Sequence, residues 1–135
     1  MGEPPRPPRN GFFYVANDCC TNCGVPVAEA PNVFAWNETS CFIRSQPRTL
    51  DDLRRVFGVL HLQELACVRY AGSDARVRAV LERLGEADKV DEAPQRPVEG
   101  QATHGLDALD AELDELAVEG HPLRALPWWR RIVGG

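Results

Sequence analysis

The sequence contains no apolar run longer than a few residues, so no segment is expected to span a bilayer as a helix. It has no Gly-rich phosphate loop, no H-E-x-x-H pair and no G-x-S-x-G turn, the local arrangements that hold a phosphate, a zinc ion or a nucleophile. Usual enzyme chemistry therefore has no support, and the chain is expected not to be an enzyme. Histidine is scarce: His61, His104 and His121 are the only three, and none stands at ligand spacing from a cysteine. Each is expected to be a surface or packing residue. Massed positive charge is also missing, since the net charge is -5 and the arginines are scattered, which argues against a nucleic-acid partner. Residues 1–10, with four prolines and two arginines, lack the apolar stretch of a secretory signal. They read as an extended tail. A cytoplasmic protein with reduced cysteines is the expectation.

What is present is enough for one folded domain. The chain has 135 residues, 44% hydrophobic and 26% charged, ordinary values for a globular protein. Its charge is uneven: residues 85–120 hold eleven acids and two bases, a net of -9, which leaves +4 for the remainder. The acidity thus belongs to the C-terminal part and not to the cysteine-bearing part.

Phe12-Phe13-Tyr14-Val15 is an aromatic and β-branched run that reads as a strand. Val33 to Trp36 and Cys41 to Ser45 flank a polar Asn37-Glu38-Thr39-Ser40 turn and read as a hairpin. Thr49 and Asp52 have the spacing of a helix cap, and Leu53, Val56, Phe57 and Leu60 form one apolar face behind it. A short extended piece, Cys67 to Tyr70, follows. Ser73 is the expected cap of a second helix carrying Val77, Val80, Leu81 and Leu84, with Gly85 as its stop. Residues 86–104 show no apolar period and contain Pro94 and Pro97, so they read as a linker. Leu106, Leu109, Leu113 and Leu116 predict a third amphipathic helix within 105–135, ending at Gly120. Its stripe needs a partner, either the main domain or a second copy of the chain. A Trp128-Trp129-Arg130-Arg131 tail closes the sequence. The expected organisation is a 1–10 tail, an 11–85 cysteine-bearing domain, an 86–104 linker and a 105–135 acidic extension.

The specific signal is in the five cysteines, an odd number that cannot be fully paired within one chain. Asp18-Cys19-Cys20-x-x-Cys23-Gly24 is followed by Ala30-Pro31-x-x-Phe34, then Cys41, Gln46-Pro47 and Cys67. A C-x-x-C loop turns two thiolates toward one centre, and zinc sites, redox disulfides and iron-sulfur sites all use it. In this register the chain resembles the single-cluster bacterial-type ferredoxins over about residues 12–70. It shares their strand, cysteine loop, hairpin arm ending in Q-P, helix and distal cysteine. Cys67-Val68-Arg69-Tyr70 also resembles the C-x-R-Y ending of a D-C-C-x-x-C-G-x-P subgroup.

The resemblance implies an α+β fold, a small antiparallel sheet with helices packed on it. It also implies an electron carrier with one iron-sulfur cluster, 4Fe-4S or else 3Fe-4S. Cys20, Cys23 and Cys67 carry over as ligands. The third ligand position of the family is occupied by Pro26, and Val68 stands where a proline usually follows the distal cysteine. Cys41 is the candidate for the remaining place, with Cys19 as the alternative. The rival readings are a zinc site on the same sulfurs and a non-redox interaction protein that keeps the fold without a cluster. The acidic segment would guide docking to a basic redox partner.

Overall fold

The computed structural model describes residues 9–16, 24–36, 41–63, 67–94 and 100–118. Cys19, Cys20 and Cys23, the Asn37 to Ser40 turn and the Trp128-Trp129 tail lie outside the described residues. The elements in order are β1 (Phe12–Val15), α1 (Val25–Glu29), β2 (Phe34–Trp36), β3 (Cys41–Ile43), α2 (Leu50–Leu62), β4 (Val68–Ala71), α3 (Ala75–Arg83), β5 (Val90–Asp91) and α4 (Asp110–Val118). The fold is mixed α and β, with four helices and two small sheets among the described residues.

β1 is apolar at every position because both of its faces are covered. Phe13 and Val15 enter the main core, while Phe12 and Tyr14 form a second cluster with Ala71 on the opposite face. β1 pairs antiparallel with β4, from Phe12 opposite Ala71 to Val15 opposite Val68, and β5 adds to β4 in parallel. Gly11 takes a left-handed φ of 75° at the entry to β1, where a Cβ would collide with the Ala71 carbonyl and the Tyr70 hydroxyl. β2 and β3 form the hairpin expected from the sequence, with Trp36 opposite Cys41.

α2 starts where expected. Thr49 is its cap and its hydroxyl accepts from the Asp52 N–H at 3.1 Å. The Asp52 carboxylate does not reach back; it accepts from the Asn32 amide instead. α3 is capped one residue later than expected, by Asp74 rather than Ser73, because the Asp74 carboxylate accepts from the N–H groups of both Arg76 and Val77. The short helix α1 has no apolar period to announce it; Gly24 opens it at a φ of 79°, with proline in its first turn.

The largest departure from the sequence reading concerns residues 86–118. The stretch 86–104, read as a linker, supplies a 3-10 turn (Ala87–Lys89), strand β5 and two buried acids, Glu86 and Asp91. Gln101 then stands between the two sheets. Its side-chain oxygen accepts from the N–H of Val15 at 2.9 Å and of Ile43 at 3.0 Å, and its amide donates to the Val15 carbonyl at 3.0 Å. The next residue adds a backbone bond, Ala102 N–H to the Ile43 carbonyl. Gln46 does the same one step along, accepting from the Phe13 N–H and donating to the Phe13 and Ala102 carbonyls. Two glutamine side chains thus take the place of a strand along the free edge of β1.

The extension is not an appendage. Leu106, Leu109, Leu113 and Leu116 are all buried in the main core, so the stripe raised as a self-association face is covered by its own chain. An ionic clasp reinforces the packing. The Arg76 guanidinium meets Asp74, Asp110 and Asp114, and Asp110 also accepts from Arg9 and the Asn10 amide. Residues 9 and 10, assigned to the tail, are therefore part of the fold: Asn10 is buried and its carbonyl accepts from the Tyr70 hydroxyl. Three of the acids counted in the sequence, Asp107, Asp110 and Asp114, hold the extension in place.

Candidate functional site

The glutamine bridges fix the level of each strand. Gln46 joins β1 at Phe13, and Gln101 joins Val15 to Ile43, so β1 and β3 run in opposite directions side by side. The chain leaving β1 at Ala16 therefore heads toward the level of Cys41, two residues before Ile43. On the other flank the Ala16 N–H donates to the Cys67 carbonyl at 2.8 Å. Cys41 and Cys67 thus lie on either side of the point where β1 gives way to residues 17–23, the segment containing Cys19, Cys20 and Cys23. Pairing register, and not sequence proximity, brings them to one end of the fold.

Both described cysteines are buried. Cys41 is 1% exposed and belongs to the main core, as a thiol outside any disulfide. Cys67, the residue before β4, is disulfide-bonded, against the expectation that all the cysteines are reduced, and its partner lies outside the described residues. Trp36, directly across from Cys41, is 42% exposed, the one large exposed hydrophobic side chain among the described residues. The sequence reading did not single it out; its position as the last residue of a hairpin arm opposite a cysteine was the available signal.

Thiolates are the donors that hold iron-sulfur clusters and structural zinc, so Cys41 and Cys67 are of the right type for either. Cys67 reaches that state only after its disulfide is reduced. Among the described residues no group of three His, Cys, Asp or Glu side chains is placed to hold a metal ion. His61 sits against Glu86, its Nδ1 3.1 Å from the carboxylate, as a packing residue would.

Arg69 and Tyr70, next to Cys67, serve the sheet. The Arg69 guanidinium donates to both carboxylate oxygens of Asp91 at 2.6 and 3.0 Å, and the Tyr14 hydroxyl donates to the same carboxylate at 2.6 Å. The hydrogen bond to Asp91 raises the Arg69 pKa further. This buried pairing ties β5 to β1 and β4. Burial pushes the Tyr70 hydroxyl well above the usual phenol range, keeping it a neutral donor to the Asn10 carbonyl.

The chain matches no protein-family model, no curated protein and no solved structure.

Proposed function

We propose that the protein is a ferredoxin-like electron carrier that holds one iron-sulfur cluster, 4Fe-4S or 3Fe-4S, at the cysteine end of the fold. The observation that carries this reading is the placement of Cys41 and Cys67 on the two flanks of the β1 exit, where the C-x-x-C segment begins. The order strand, cysteine segment, hairpin, helix and Cys67 supports it, since it is the order in which the chain resembles the single-cluster bacterial-type ferredoxins. Cys20, Cys23 and Cys67 are the ligands, with Cys41 in the fourth place and Cys19 as the alternative. Opening the Cys67 disulfide precedes ligation by that sulfur.

When bound, such a cluster supplies a one-electron couple that exchanges electrons with a partner through space, without bond making. The chain's own contribution is to bind it through thiolates and to exclude water. The buried Cys41 and the core residues beside it keep the local dielectric low, which sets the ease of reduction. The partner is a redox protein, and the unclasped acids of the C-terminal part favour a basic one. A reducing compartment, the cytoplasm, is the setting this reading implies. Among the described residues, no helix is long and apolar enough to cross a membrane.

Anaerobically prepared protein is expected to contain iron and acid-labile sulfide and to show a broad visible band that bleaches on reduction. Zinc without sulfide, or neither, would sink the proposal. The Cys67 disulfide favours one second reading, a metal-free interaction module. Cys20→Ser separates the two: an electron carrier loses its colour and redox activity, whereas a binding module keeps both fold and partner.

A further inference from the structure

Away from the cysteines, a cavity of about 410 Å³ opens between the turn before β2, the end of β3 and the entry to α2. It is lined by Asn32, Arg44, Ser45, Arg48, Thr49 and Asp52. Its volume is in the range of small-ligand pockets. Arg44 and Arg48 are exposed, and among the described residues neither makes an ion pair, although the Asp52 carboxylate lines the same space. Gln46 and Pro47, the residues between the arginines, are buried, and Gln46 is locked to Phe13 by two hydrogen bonds. The Asp52 carboxylate accepts from the Asn32 amide at 3.1 Å. The lining thus brings two arginines and a hydrogen-bond acceptor to one space.

The start of α2 is not the source of attraction. Thr49 already caps it, and Asp51 and Asp52 occupy its first turn. The guanidiniums are, and their planar donor forks match a phosphate. A bare inorganic anion would use only the arginines and would meet the Asp52 carboxylate unfavourably. A ligand that also carries hydroxyl groups would satisfy both kinds of partner. Its hydroxyls can donate to Asp52 and to the Ser45 oxygen, whose own proton goes to the Gln46 carbonyl.

We propose that this cavity binds a small phosphate monoester of a polyol, with the phosphate on Arg44 and Arg48 and the hydroxyls on Asp52 and Ser45. The site is independent of whether the cysteines hold a cluster.

The test is a titration of the full chain with ribose 5-phosphate, with ribose and inorganic phosphate as the two half-ligands, followed by calorimetry and amide chemical shifts. Ribose 5-phosphate is expected to bind at one site, to shift the amides of Asn32, Ser45 and Thr49, and to bind about tenfold or more tighter than either half-ligand. The double variant Arg44→Ala, Arg48→Ala changes two exposed side chains, keeps the fold, and is expected to abolish binding. Asp52→Asn is expected to weaken the ester and not inorganic phosphate. The proposal is overturned by an absence of saturable binding at millimolar ester, by shifts confined to other residues, by binding that survives the double variant, or by inorganic phosphate binding as tightly as the ester.

Discussion

Replacing Gln101 by alanine removes one side chain and three hydrogen bonds at once. The Val15 N–H, the Val15 carbonyl and the Ile43 N–H all lose their partner. Each such bond contributes a net of about 1 kcal/mol, so the expected cost is about 3 kcal/mol if water refills the space. Gln101→Met fills that space with an apolar chain and leaves the three groups without water. Its cost is expected to be larger, about 5 kcal/mol, because a buried group left unsatisfied bears its full desolvation penalty. The ordering, methionine worse than alanine, distinguishes lost hydrogen bonding from lost packing, which would rank them the other way. Urea unfolding followed by circular dichroism gives the free energies, and amide exchange at Val15 and Ile43 gives the local effect. A loss of about 3 kcal/mol lowers the melting temperature of a domain this size by about 10 °C. An alanine variant within about 0.5 kcal/mol of the parent, with both amides still protected, would refute the view that glutamine side chains bridge the sheets.

Leu113→Ala, at a side chain with no exposed surface, is expected to cost about 3 kcal/mol in chemical denaturation, a value that an extension merely hanging from the domain would not show. For Asp74, burial pushes the carboxyl up, but hydrogen bonds from Arg76 and the Val77 N–H outweigh it and hold the pKa below the usual range; hydrogen bonds from Asn10 and Arg76 do the same at Asp110. Groups depressed in the folded state stabilise it fully above the ordinary carboxylate pKa of about 4 and cease to do so as pH falls through their folded values. Urea midpoints should therefore drop on acidification below about pH 4, and Arg76→Met should flatten that part of the profile. Asp91→Ala removes the carboxylate shared by the Arg69 guanidinium and the Tyr14 hydroxyl and should cost about 3 kcal/mol, against about 1 kcal/mol for Tyr14→Phe, both read from thermal or urea melts.

Local signals carried well where one short stretch contains both the pattern and its punctuation. α2 is the clearest case, since Thr49 and the Leu53, Val56, Phe57, Leu60 face are all within twelve residues and need nothing distant to make sense. The α3 cap slipped by one residue because serine and aspartate are adjacent and both can cap; Asp74 won because its two oxygens also reach the Arg76 guanidinium. Residues 86–104 misled for a different reason. β5 is two residues long, too short for any period, and Gln101 is polar. A polar side chain that replaces a strand leaves no apolar trace. The candidate site was half legible: the cysteine types and spacings are local, whereas the opposition of Cys41 and Cys67 across the β1 exit is a matter of strand register.

The sequence by itself determined which segments would bury a face, where α2 would begin, and that sulfur chemistry was the one specific signal in the chain. It did so because capping, periodicity and side-chain type act over a few residues. Only the tertiary structure decided that the acidic extension completes the core and is clasped by Arg76, and that Trp36 stands exposed beside a buried cysteine. Only the tertiary structure, too, brings Arg44, Arg48 and Asp52 to one cavity with Asn32. Those outcomes depend on hydrogen bonds and packing between residues tens of positions apart, whose partners no local pattern names.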